Sequence, residues 1–200
     1  MCIRDRPTSL YLELLKHLPG NRTSTEIAKE RAVDMANLLK EDETSPFYRK
    51  IVTVTSPKNG EISMTQFVRK IHPMLKQPTG RLAIYNDEER CGIVDNYFKG
   101  LLQVFAKEAK HPNCIFFRTM GFGALMNVLP TFIDFTLGQS KGNFRVADVA
   151  SVFKKIDYFD FENWHRSGSG SGVEAAAAED LRTELSNSIE GSSNVGRISL

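Results

Sequence analysis

A run of alternating glycine and serine near the C-terminal end is the segment whose residue types most resemble a chemical site. It consists of Gly168, Ser169, Gly170, Ser171 and Gly172 after Ser167. A glycine-rich loop that leads into a helix can present backbone N–H groups and a positive helix end to a phosphate. The run lacks the lysine and the preceding strand of a P-loop, however. A flexible linker is therefore the plainer interpretation, and we favour it from the sequence.

Trp164, just before this run, has two interpretations. Its indole could stack on a nucleic-acid base, as aromatic side chains do in single-strand binding sites. It also follows Tyr158, Phe159 and Phe161 closely. A lone tryptophan in such an aromatic cluster more often packs in a core or a subunit interface. We therefore favour packing.

A loose basic group surrounds one predicted helix. Its members are Lys141, Arg145, Lys154 and Lys155. Such residues can contact the phosphate backbone of DNA, although a scatter of this kind is usually a solvated face. We keep Lys154 and Lys155 as candidate nucleic-acid contacts.

Acidic residues and histidines occur without the spacing of a known metal or catalytic motif. Asp157, Asp160, Glu162 and His165 match no cation-binding loop. The other histidines, including His111, lie near predicted helix ends without a nucleophile or carboxylate fixed nearby. We predict no metal site. The sequence contains no catalytic constellation and indicates no particular cofactor.

Composition limits the class of protein only broadly. The 200 residues are 41% hydrophobic and 25% charged, with a formal net charge of +2, which suits one globular domain and leaves a DNA partner open. Three cysteines without metal-type spacing fit a reducing cytoplasm. The most apolar stretch, residues 121–138, contains Asn127, Pro130 and Asp134. A buried helix is therefore favoured over a membrane span.

The elements predicted from spacing give a mainly α fold. Helices are expected after Ser24, after Ser63 and after Asn86, the last two beginning with capping boxes. An apolar helical segment is expected from Thr119 to Leu137, with a kink or break at Pro130. The β-branched run 51–55 and the Asn-Gly turn signal after it predict one small β-hairpin-like element near residues 50–62.

The two ends of the sequence carry separate predictions. Residues 1–6 have the sequence of a translated sequencing adapter, so we exclude them from fold reasoning. Residues 7–190 would form the helical domain, and residues 191–200 a disordered tail. Leu10, Leu14 and Leu15 would lie on one face of a first helix. We expect a further, N-terminal half of the protein to cover that face.

Several segments, in this order along the chain, resemble the DGQHR/DndB family. They are residues 7–15, 43–47, 62–68, 96–98 and 119–125, followed by Trp164 and the Gly/Ser run. The D-G-Q-H-R motif itself is absent. The resemblance implies the C-terminal helical part of a bacterial protein associated with phosphorothioation-type DNA modification or with defence.

The resemblance implies a DNA-binding or regulatory role, but no catalytic residue can be carried over from the missing motif. Two alternatives stay open: a nucleotide-binding or nucleotide-hydrolysing enzyme whose site lies in the missing half, and a structural helical interaction domain. The expected partners are DNA, the missing N-terminal half and a second copy of the chain, with no membrane.

Overall fold

Helices dominate the described part of the chain, which confirms the prediction of a mainly α fold. The computed structural model describes residues 22–193 except residue 55. The predicted first helix with Leu10, Leu14 and Leu15, the adapter-like residues 1–6, and residues 194–200 lie outside this part. Residues 191–193, which were predicted to belong to a disordered tail, are helical.

The described residues form eight α-helices, two strands and two 3-10 turns. The helices are α1 (Ser24–Glu41), α2 (Met64–Leu75), α3 (Asp87–Val104), α4 (Ala106–Ala109), α5 (Thr119–Gln139), α6 (Val146–Phe153), α7 (Glu162–Arg166) and α8 (Ser171–Ser193). The strands are β1 (Ile51–Val52) and β2 (Ile62–Ser63), and the 3-10 turns are Ile115–Phe117 and Lys154–Ile156.

Helix starts follow the capping residues of the sequence. Asn86 and Glu89 form a complete capping box at α3. Ser63 accepts a hydrogen bond from the Gln66 backbone N–H, but the Gln66 side chain does not return the bond. Its amide donates instead to the Thr119 carbonyl and the Glu174 carboxylate. A local capping interaction is thus replaced by a tertiary one.

The small β element is present, but it is not a hairpin. β1 and β2 pair in parallel, with Ile51 opposite Ile62 and Val52 opposite Ser63. A two-residue turn can join only antiparallel strands, and parallel pairing needs a longer connection. Here the connection between β1 and β2 returns the chain to its starting direction, and β2 leads directly into α2. The prediction of hairpin-like pairing was therefore wrong.

α5 is the central helix of the core. It runs unbroken from Thr119 to Gln139 with Pro130 inside it, so the predicted break does not occur. It is long and apolar enough to span a membrane, but 67% of its most apolar window is buried within the protein. The burial of side chains along α5 offsets the roughly 3 kcal/mol that an internal proline costs. α5 is accordingly a core helix.

Three helix pairs build the walls around this core. α1 packs on α2, α3 on α6, and α5 on α8. At Gly100 on α3, an added Cβ would lie 2.9 Å from Val149 Cβ on α6. Only glycine permits that approach of the two helices. The pairing of α5 with α8 brings the Gly/Ser run beside the start of α5.

Candidate functional site

The Gly/Ser run is divided between a loop and a helix. Residues 167–170 connect α7 to α8, whereas Ser171 and Gly172 belong to the first turn of α8. Gly170 has a φ of +156°, which L side chains rarely adopt. The first N–H groups of α8 have no acceptor within the helix, as at every helix start. The run therefore forms a loop that leads into a helix, an arrangement that binds phosphate in many proteins.

A cavity of about 240 Å³ lies between this loop and the start of α5. Its walls come from the 3-10 turn before α5, the first residues of α5, α7 and the loop. They are Ile115, Arg118, Thr119, Met120, Trp164, Ser167, Gly168 and Ser169. The cavity is thus lined by residues that precede or begin two long helices, α5 and α8. Each helix carries partial positive charge at its N-terminus.

Arg118 supplies a full positive charge to this cavity. It occupies the N-cap position of α5, where no side chain caps the helix. Its half-buried side chain makes no hydrogen bond or ion pair within residues 22–193. An N-cap position usually holds a short polar side chain that accepts from the first N–H groups. These N–H groups and the guanidinium are instead available to an external acceptor.

Trp164 forms part of the core beside the cavity. The residue is 2% exposed and meets Phe159 and Phe161 edge-to-face at centroid distances of 5.9 and 5.0 Å. This confirms the packing interpretation. Burial leaves no ring face for a nucleic-acid base. Its indole N–H has no acceptor within the described residues.

Lys154 and Lys155 do not reach this cavity. They belong to the 3-10 turn after α6, with Lys154 exposed and Lys155 half-buried. Tyr158, just after that turn, donates a hydrogen bond to Glu184 of α8 at 2.9 Å. Glu184 lies about 20 Å along α8 from Ser171, at 1.5 Å per residue. The structure therefore separates these lysines from the Gly/Ser run.

A second cavity, of about 390 Å³, shares Arg118 with the first and is largely acidic. Its other lining residues are Glu108, His111, Asn113, Asp160, Glu162 and His165. Asp160, Glu162 and His165 were weighed together from the sequence, whereas Glu108 was not singled out there. The structure brings His165 together with Glu108 and His111.

These three side chains form a compact group of possible metal ligands. One ligand atom from each lies within 4.8 Å of the others. His165 Nε2 is 3.0 and 3.1 Å from the two carboxylate oxygens of Glu108. The His111 and His165 rings have a centroid distance of 5.2 Å. The prediction that no metal site exists did not anticipate this convergence.

A third cavity, of about 480 Å³, lies on another side of the first turns of α8. Glu174, almost fully buried, faces Arg69 and Lys70 of α2, with Arg69 Nη2 at 3.3 Å from Oε1 and Lys70 in contact with Oε2. Arg182 of α8 also lines this cavity and donates to the Asn127 carbonyl. The cations that line this cavity already have partners, so their charge contributes to the fold and little of it is left for a ligand.

The residues that sequence reasoning missed are Arg118, Glu108 and Glu174. Arg118 had one local signal: a long arginine stands immediately before an apolar helix, where a capping residue is expected. Glu108 and His165 are 57 positions apart, and no spacing rule joins them. Glu174 resembled an ordinary first-turn acid of an amphipathic helix.

Comparisons with known proteins identified no relative of this chain. No protein-family model matches it, and no curated protein and no solved structure is significantly similar to it. The two cavities that share Arg118 are accordingly the features from which a function can be inferred.

Proposed function

We propose that the chain binds a backbone phosphate of DNA in the cavity between the Gly/Ser loop and the start of α5. The observation that carries the proposal is Arg118, a half-buried cation without a partner in the described part of the chain, at an uncapped helix start. A phosphate there would accept from the guanidinium and from backbone N–H groups. Charge-assisted hydrogen bonds of this kind are about twice as strong as neutral ones.

The size of the cavity favours a phosphate of a polymer over a free nucleotide. Its volume of about 240 Å³ is below the range of about 300–1,000 Å³ typical of small-molecule sites. A nucleoside triphosphate would leave much of its surface outside. A DNA backbone presents one phosphate at a time to a surface site and needs no enclosed pocket for its base.

The contact would be independent of DNA sequence. The one aromatic residue in the cavity wall, Trp164, is buried among other rings and offers no stacking surface. Phosphate contacts position a protein on DNA, whereas base-edge contacts read the sequence. This cavity would therefore anchor DNA, and any sequence specificity would come from other parts of the protein or from its partners.

We further propose that the protein with this DNA-binding role is DndB-like. The resemblance of residues 7–190 to the DGQHR/DndB family motivates an association with DNA modification or defence, with the motif-bearing half and a second copy of the chain as further partners. A cytoplasmic location is part of the same proposal. It is supported by Cys91 and Cys114, which are free thiols.

The test is the salt dependence of DNA binding by the full chain. Fluorescence anisotropy with a labelled double-stranded DNA should give a linear fall of log K with log salt concentration, as counterion release requires. Arg118→Gln should weaken binding about three- to tenfold and make the slope shallower by about one. Arg31→Gln is the matched control, since it removes the same charge from α1, which lines neither cavity.

Three results would contradict the proposal. The first is equal binding by the wild type and Arg118→Gln, which would remove the cavity from the interface. The second is an equal loss in Arg31→Gln, which would indicate a diffuse charge effect. The third is complete displacement of DNA by an equimolar nucleoside triphosphate, which would favour a nucleotide site instead.

A further inference from the structure

We infer that Glu108, His111 and His165 form a binding site for a divalent transition-metal ion of the Zn²⁺ type. None of these three ligands lines the proposed phosphate cavity, although the two cavities share Arg118, and the test of the metal site uses no nucleic acid. Glu108 lies in α4, His111 lies between α4 and α5, and His165 lies in α7. The fold thus brings one carboxylate and two imidazoles together from three segments.

The donor set selects the class of ion. Two imidazole nitrogens and one carboxylate oxygen suit Zn²⁺ and its first-row neighbours, whereas Mg²⁺ and Ca²⁺ prefer oxygen ligands alone. Two histidines and one glutamate are also a set that leaves coordination positions open for water or another ligand. The cavity of about 390 Å³ next to these side chains provides room for such a ligand.

One of the separations between ligand atoms already matches that of a tetrahedral zinc centre. Zinc bonds of about 2.0–2.1 Å place neighbouring ligand atoms roughly 3.3 Å apart. His165 Nε2 and the Glu108 oxygens, at 3.0 and 3.1 Å, already match that separation. His111 is the outlying member within the 4.8 Å limit. Its side chain is exposed, so the ring has room to rotate inward.

Hydrogen bonds around the ligands favour the present position of Glu108 but oppose metal binding through one nitrogen of His111. The Ile115 backbone N–H donates to Glu108 Oε1 at 2.8 Å and fixes the carboxylate. Orienting hydrogen bonds of this kind are usual around metal ligands. The Asn113 backbone N–H donates to His111 Nδ1 at 3.1 Å. Metal binding through that nitrogen would have to replace this bond.

The charge of the cavity also favours a cation. Asp160 and Glu162 line it with Glu108, and Arg118 is the one arginine or lysine among its lining residues. Glu162 pairs with Arg166, and Asp160 accepts from the Glu162 backbone N–H, so neither needs to be a ligand. A divalent ion would offset the remaining negative charge beside Arg118.

The experiment is a titration of the metal-stripped full chain with Zn²⁺ and, separately, with Co²⁺. Zn²⁺ should bind with one high-affinity equivalent in calorimetry. Co²⁺ should give visible absorption of a four- or five-coordinate centre without a thiolate charge-transfer band. His111→Ala should weaken Zn²⁺ affinity at least tenfold and reduce the Co²⁺ absorption. Circular dichroism verifies that each variant is folded.

Two further variants make the result decisive. His165→Ala should give the same loss. His72→Ala should bind as the wild type does, because His72 lies on α2, outside the cluster, with Nδ1 2.9 Å from the Val68 carbonyl. The inference is overturned if the wild type binds no Zn²⁺ at tens of micromolar, or if His111→Ala and His165→Ala both retain full affinity. Failure of DNA binding with intact Zn²⁺ binding would count only against the phosphate proposal.

Discussion

Gly123 of α5 lies directly beneath the carboxylate of Glu174 of α8. A Cβ added at Gly123 would lie 2.7 Å from each carboxylate oxygen, closer than real Cβ contacts allow. The absence of a side chain at one position therefore makes room for a buried charge at the other. This relationship fixes the register between α5 and α8, and with it the position of the Gly/Ser loop beside Arg118.

Gly123→Ala should destabilise the protein by about 1–3 kcal/mol, the range for overpacking in a filled core. The Glu174 carboxylate cannot move freely, because Gln66, Arg69 and Lys70 hold it. Gly138→Ala in the same helix is the matched control, since its Cβ would meet nothing within 4 Å. That change should be neutral or stabilise by up to about 1 kcal/mol. Urea denaturation measures both, and equal effects would contradict the argument.

Glu174→Ala should cost about 2–3 kcal/mol of unfolding free energy. Removal of one partner of a buried pair typically costs about 3–5 kcal/mol. The loss is smaller here because Arg69 is 55% exposed and can be rehydrated, and because Lys70 also donates a hydrogen bond to Asn127. Glu162→Ala removes an exposed carboxylate that pairs with Arg166 and should change stability by less than about 1 kcal/mol. A Glu174→Ala variant as stable as Glu162→Ala would show that the buried pair contributes nothing.

The Cys91 thiol should react slowly with alkylating reagents in the folded protein. Burial, with a further contribution from Asp87 and Asp95, raises the pKa of this thiol from 9.0 to about 11. Its thiolate fraction at pH 8 should thus be about 100-fold below that of an unshifted thiol. Mass spectrometry after timed iodoacetamide treatment, in buffer and in urea, measures this. Equal rates of Cys91 modification in both conditions would contradict the shift.

The same pKa shift predicts a direction for stability. Between pH 9 and about 11, the unfolded chain loses the Cys91 proton while the folded chain keeps it. Protons bound more tightly by the folded state stabilise it below this range, and that contribution is lost as the pH rises. The Cys91→Ser variant should therefore lose less stability across this interval than the wild type.

The sequence predicted the helices well because their signals are local. Thr119–Leu137 was predicted as a helix and Thr119–Gln139 is observed. On α8, Ala177, Leu181 and Leu185 follow each other at intervals of four residues and are all buried. On α3, Phe98 and Leu101 are fully buried, whereas Leu102 is only partly so. The spacing of apolar residues predicts which face of a helix is buried. Packing against the neighbouring helices determines which residues at the margin of that face are fully covered.

The candidate site could not be predicted in the same way, because its residues meet only through tertiary packing. Arg118 and the Gly/Ser loop are adjacent because α5 packs on α8. Glu108 and His165 meet across the α4–α7 gap without any common motif. The parallel pairing of Ile51 with Ile62 also depends on the path of residues 53–61, which the Asn-Gly turn signal did not reveal.

The most direct test of phosphate binding is amide chemical-shift mapping on the ¹⁵N-labelled full chain with a short double-stranded DNA. We predict the largest shifts at the backbone N–H groups of Thr119, Met120 and residues 168–172, with loss of these shifts in Arg118→Gln. Shifts confined to the surface around Lys154 and Lys155, with the amides of Thr119 and Ser169 unchanged, would contradict it.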